Sequence, residues 1–85
     1  NYPNPFNPST TITISLPTQT DFTLTIYDVL GKEVKTFNYE KAAAGTHDVV
    51  WDGTNESRQA LPSSVYVYRI VAGSFIESKK LTLIK

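Results

Sequence analysis

Thr11-Ile12-Thr13-Ile14-Ser15-Leu16, then Asp21-Phe22-Thr23-Leu24-Thr25-Ile26-Tyr27 beyond Pro17, is the stretch that decides the fold. Ile12, Ile14 and Leu16 fall on one side of an extended chain, and Thr11, Thr13 and Ser15 on the other. Phe22, Leu24 and Ile26 repeat the pattern against Thr23 and Thr25. Successive side chains of a strand point to opposite faces, so this period-two alternation predicts two strands, each with one buried and one wet face. Pro17 ends the first strand because it brings no N–H to a ladder.

The reading extends to the rest of the chain. Asp28-Val29-Leu30-Gly31 reads as a hairpin turn in which Gly31 supplies a positive φ. Residues 32–39 alternate poorly, with Val34 on one face and Phe37 and Tyr39 on the other, as a bulge or an edge position would produce. Residues 41–44 have helix propensity but are too few to form a helix alone, and Gly45 closes them. Residues 46–51 put His47, Val49 and Trp51 on one face, and Asp52-Gly53-Thr54-Asn55 is a strong turn signal opening a loop that runs through Pro62. Residues 65–71 are apolar on both faces, with Tyr66, Tyr68 and Ile70 opposite Val65, Val67 and Val71, which reads as a central strand. Gly73-Ser74 turns the chain into a last strand over 75–84. About six or seven short strands, with turns about every 8–12 residues, predict an all-β, immunoglobulin-like antiparallel sandwich.

Composition agrees. Val, Ile, Thr and aromatic residues suit a pleated, half-buried surface, and 85 residues make one domain with one modest core. Ahead of it, residues 1–9 hold Pro3, Pro5 and Pro8 and form a proline-rich extended segment, with Tyr2 and Phe6 as its anchors; the sandwich occupies 10–85. Eight basic and eight acidic residues cancel, so no polycationic face exists to neutralise phosphates and nucleic acid is not an expected partner. The absence of cysteine excludes disulfides, thiol catalysis and thiolate metal sites. No apolar run approaches the ~20 residues of a membrane span. With no methionine, Asn1 reads as a position inside a longer protein.

Candidate chemistry is sparse. His47 is the sole histidine, and its place beside Val49 and Trp51 suits a structural ring; no nucleophile motif surrounds any serine to complete a Ser-His-Asp site. Asp28, Asp48 and Asp52 are the carboxylates that glycoside chemistry would need, yet Asp28 and Asp52 fall in turns, where Asp bonds its own backbone. Asp52, Thr54, Asn55 and Glu56 offer oxygen atoms in one loop without the spacing of a calcium motif. Tyr27, Tyr39, Tyr66, Tyr68 and Trp51 could stack on sugar or pack in the core; Trp51 and at least one of Tyr66 and Tyr68 belong to the core, Tyr27 and Tyr39 to the surface. Lys79 and Lys80 suit an edge strand that resists aggregation. These residues predict no enzyme, no metal and no cofactor.

Five stretches carry a family resemblance. They are Tyr2-Pro3-Asn4-Pro5-Phe6-Asn7-Pro8-Ser9-Thr10, then Tyr27-Asp28 with Gly31-Lys32-Glu33-Val34, then Ala44-Gly45-Thr46-His47 with Val50-Trp51-Asp52-Gly53, then Val65-Tyr66-Val67-Tyr68-Arg69, and finally Lys79-Lys80-Leu81-Thr82-Leu83-Ile84-Lys85. In order, over essentially the whole chain, they resemble the type A C-terminal sorting domain of the type IX secretion system. A closely similar immunoglobulin-like domain occurs in the flagellar hook-capping protein. The sorting-domain resemblance implies structural roles for Pro3, Pro5, Phe6, Gly31, Gly45, Trp51, Asp52, Gly53, Tyr66 and Tyr68. It also implies recognition by an outer-membrane translocon through Lys79, Lys80, Leu81, Leu83, Ile84 and Lys85. Its implied partners are the outer-membrane secretion machinery proteins, a sortase-like protease that removes the domain, and a cargo domain fused ahead of it. Its implied location is the periplasm of a Gram-negative bacterium in transit, then the cell surface or outside. The alternatives are a structural immunoglobulin-like linker or assembly module, and a carbohydrate-binding module. Two positions depart from the sorting family, which usually has Gly where Ser64 stands and Gly in the turn where Arg58-Gln59-Ala60 stand.

Overall fold

The computed structural model describes residues 9–84. The expectations for Tyr2, Pro3, Pro5, Phe6 and Lys85 fall outside the described residues. Six strands form: β1 (Thr10–Leu16), β2 (Thr20–Tyr27), β3 (Glu33–Ala42), β4 (Gly45–Trp51), β5 (Ser64–Ala72) and β6 (Phe75–Leu83). They make two antiparallel sheets, a two-stranded one of order β1-β4 and a four-stranded one of order β3-β2-β5-β6. The architecture is the expected immunoglobulin-like sandwich.

The alternation of β1 and β2 sorts their side chains as read: Ile12, Ile14, Leu16, Phe22, Leu24 and Ile26 are all buried, between the sheets. Val49, Trp51, Tyr66, Ile70, Leu81 and Leu83 complete the centre. Trp51 is fully buried and meets Tyr66 edge to face, with centroids 5.2 Å apart and ring planes at 76°. Both rings carry polar tips, and both tips are bonded. Trp51 Nε1 donates to Thr54 O at 2.8 Å, and Tyr66 Oη donates to Pro62 O at 2.7 Å. The second bond resembles the tyrosine corner of immunoglobulin sandwiches, a phenol tied back to the backbone just upstream. Burial raises the Tyr66 phenol above its ordinary value near 10, with the Asp28 charge adding to the effect, so the proton that makes this bond is retained. Among the described residues no buried side-chain N or O lacks a partner.

β3 shows why residues 32–39 read badly. It is an edge strand and it is also bulged. Ile26 faces Lys35 while Tyr27 faces Glu33, so Val34 is the extra residue and the strand changes phase there. A second irregularity lies between Thr20 and Phe22, where Lys41 adopts φ 51° and its amide donates to Asp21 Oδ1 at 2.8 Å. That carboxylate carries β3 through the expected helix-prone stretch as far as Ala42.

β5 is the central strand that its sequence suggested. It is central laterally, between β2 and β6, but its outer side is not buried: Val65 and Val71 are exposed. Its apolar outer face comes from β-branched residues suited to a sheet surface, not from a covering layer.

Replacing Trp51 with Ala removes the largest buried ring and the bond to Thr54, so it should cost about 3–5 kcal/mol in urea denaturation. A loss below about 1 kcal/mol would mean that the ring does not hold the sheets together.

Candidate functional site

Two connections meet at one end of the sandwich, the β2–β3 turn and the β4–β5 loop. Between them lies a cleft of about 260 Å³ lined by Asp28, Glu33, Val34, Asn55, Glu56 and Leu61, among others. The turn is built around one carboxylate. Asp28 Oδ1 accepts from the amides of Leu30 and Lys32, both at 2.9 Å, and Gly31, at φ 84°, lets the chain close as Gly31 N donates to Asp28 O. This holds Val29 and Leu30 outward at the tip, 68% and 90% exposed.

Asn55 does the same work in the loop. Its Oδ1 accepts from Ser57 N at 2.9 Å and Gln59 N at 3.0 Å, and its Nδ2 donates to Gln59 Oε1 at 3.0 Å. Arg58 sits inside that turn at φ 63°, at the stretch where glycine is usual in the sorting family. The chain keeps the left-handed backbone there without glycine, because Asn55 supplies the bonds that define it. The loop also docks on β3: Glu56 N donates to Val34 O at 3.1 Å, and Glu56 Oε2 accepts from Thr36 N at 2.7 Å. Glu33 Oε2 accepts from Thr36 Oγ1 at 2.6 Å.

The acids at this end are therefore engaged in backbone and hydroxyl bonds. Asp52 Oδ1 accepts from Thr54 Oγ1 at 2.6 Å and Thr54 N at 3.1 Å. The Thr54 hydroxyl is the main cause that holds Asp52 below its ordinary 3.8, against a smaller opposing push from burial. Among the described residues no three His, Asp or Glu side chains group as a metal site. Asp48 accepts from Thr13 Oγ1 at 2.8 Å on the outer side of the small sheet, apart from Asp28 and Asp52 in their turns. His47 is half-buried, donates through Nε2 to Ala43 O at 2.6 Å, and tilts against Phe22 at 5.9 Å.

The aromatic residues do not gather. Trp51 and Tyr66 are core; Tyr27 and Tyr68 are half-buried; Tyr39 stacks on Phe22 at 4.6 Å and 18°. The last strand divides as well. Leu81 and Leu83 are buried and belong to the core, while Lys79, Lys80 and Ile84 are exposed. Gly45 and Gly53 both take positive φ, at the start of β4 and in the turn after Trp51. Sequence reading named Glu56 as a loop oxygen donor and Val29-Leu30 as turn residues, but it missed that Glu56 closes the β3 edge and that the pair forms an exposed apolar tip. The tip carried a visible signal, an apolar pair inside a turn; Glu56 carried none.

The FlgD Ig-like domain family model matches residues 4–74. Two solved structures share the fold. FlgD from P. aeruginosa aligns with a TM-score of 0.71 and 22% identity, over 88% of this chain and 58% of that one. FlgD from Xanthomonas campestris, described for its insights into the hook capping essential for flagellar assembly, aligns with a TM-score of 0.70 and 20% identity, over 91% of this chain and 56% of that one. The chain thus spans a little more than half the length of either. No curated protein sequence matches it. These matches overturn the expected type IX sorting signal read by a translocon: the family they support is that of the hook-capping protein, which shares the sandwich. They do not favour the linker or carbohydrate-binding alternatives either.

Arg58→Gly should raise stability by about 1 kcal/mol in denaturant melts, because glycine removes the left-handed strain; a destabilised variant would mean that the Arg58 side chain outweighs it. Asp52 adds a pH signature. A carboxylate whose folded value is depressed stabilises the fold above its unfolded value, and loses that contribution as pH falls through the folded value. The stability gap between the native chain and Asp52→Ala should therefore hold from neutral pH to about 5 and shrink below about 4. A gap that persists in strong acid would sink this reading.

Proposed function

The chain belongs to the FlgD Ig-like domain family, and from that premise we propose that it is an assembly domain of a hook-capping protein, working in flagellar hook construction through contact between protein surfaces. The match over residues 4–74 carries the reading. Three features support contact over chemistry. The acids at the loop end accept backbone and hydroxyl bonds that shape the turns and the β3 edge, which is a structural role. The chain has no net charge to gather a polyanion. Two adjacent, strongly exposed apolar side chains, Val29 and Leu30, project from a turn that Asp28 has already ordered. A preorganised apolar knob loses little conformational entropy on docking, which suits it to a pocket on a neighbouring subunit.

The test is a chimera in which this chain replaces the matching domain of FlgD from Xanthomonas campestris. Hooks counted by electron microscopy should form, and the double change Val29→Ser and Leu30→Ser should reduce them while leaving the melting temperature unchanged. A stable, exported chimera that builds no hooks would overturn the proposal.

A further inference from the structure

Each sheet ends in two strands with one side unpaired: β3 and β6 in the larger sheet, β1 and β4 in the smaller. Such edges expose rows of N–H and C=O groups that invite another strand, and proteins guard them with bulges, charges, prolines or covering loops.

Three of the four edges carry a guard. β3 is bulged twice, and Glu56 occupies both Val34 O and Thr36 N. β6 turns Glu77 and Lys79 to the same face as Ile70 and Tyr68, the core side of the sheet, and sets Lys80 on the other. Lys79 and Glu77 pair at 3.7 Å. β4 carries exposed Asp48 at its middle.

Among the described residues β1 has none of these. Its seven residues, Thr10–Leu16, include no charge, no proline and no glycine. It pairs with β4 residue for residue, without a bulge. Among the described residues no strand pairs with its other side.

We infer that β1 is a self-association edge whose occupant is β1 of a second copy of this chain, antiparallel about Thr13. The order of residues fits a twofold axis there. Ile12 faces Ile14 of the second copy, Thr11 faces Ser15, Thr10 faces Leu16, and Thr13 faces itself. The apolar residues of both copies stay on one face, and a slip of one residue would set isoleucines against threonines on the wrong side. The result is a continuous four-stranded sheet, β4-β1-β1-β4, with an isologous interface. Pairing β4 with itself about its centre would oppose two Asp48 carboxylates, and pairing β6 with itself would oppose two Lys79 ammonium groups. With β3 closed by its bulges and by Glu56, β1 is the edge among these that joins its own copy without bringing like charges together. The inference is independent of the hook-capping reading, and its test involves no flagellar component.

The chain has no cysteine, so one introduced thiol reports contact cleanly. Thr13→Cys under mild oxidation should give a disulfide-linked dimer, while Thr82→Cys, exposed on the outer face of β6, should not. Sedimentation of the native chain across a concentration series should approach twice 9.5 kDa. Thr13→Lys, and separately Thr11→Lys, should return it to monomer with β-sheet circular dichroism retained. A native chain that stays monomeric at millimolar concentration would overturn the inference. So would a Thr13→Cys protein that crosslinks no faster than Thr82→Cys, or folded lysine variants that still dimerise.

Discussion

The contact between Trp51 and Tyr66 is the constraint on which the rest depends. It joins the last residue of β4 to the start of β5, across the gap between the sheets. Each ring also ties its polar tip to one end of the intervening loop, Trp51 to Thr54 and Tyr66 to Pro62. One apolar contact thereby fixes both ends of residues 52–63. With its ends fixed, the loop can place Asn55 to build its own turn and Glu56 to close the edge of β3. Loss of the ring contact would reach the cleft, the edge and the core together. Their energies are therefore coupled, and contacts sharing a network do not add.

The two sheets are unequal, and this decides where the surface can act. A two-stranded sheet cannot cover the whole inner face of a four-stranded one. Lys79 of β6 lies on that inner face and is still exposed, beside Glu77. Charges there cost little because the overhang is wet, and they deter an incoming strand that would lay apolar side chains over them. The smaller sheet has the opposite design, with polar but uncharged side chains outward on β1 and a buried apolar row inward.

Much of this was legible in the chain. Alternation in residues 11–16 and 21–27 assigned the inner and outer faces of β1 and β2, and turn residues placed the β2–β3 connection at Asp28-Gly31. What stayed hidden had non-local causes. The bulge at Val34 depends on the register with β2, and the end of β3 depends on Asp21 reaching Lys41 N. The left-handed Arg58 depends on Asn55 bonding, not on a glycine that could be read off. The terminal motif misled in a different way. Leu81 and Leu83 matched a recognition pattern, but a pattern does not state exposure, and both are core residues. Most of the residues that carried the resemblance lie within the stretch that the FlgD Ig-like family model matches, and a fold does not by itself specify a function.

The step from fold to function then rests on what the polar groups are already doing. Here Asp28, Glu33, Asp52 and Glu56 each accept bonds that shape turns, strand or loop, and His47 gives its Nε2 proton to Ala43 O. To release any of them for chemistry would loosen the scaffold that positions it. The groups without such duties are of another kind: the apolar pair at the β2–β3 tip, and the backbone row along β1. Neither reacts, and both are held rigid by neighbours. Exposed apolar and backbone groups of this kind gain free energy by burial or by strand pairing against another macromolecule, which is the physical basis of the assembly role proposed above.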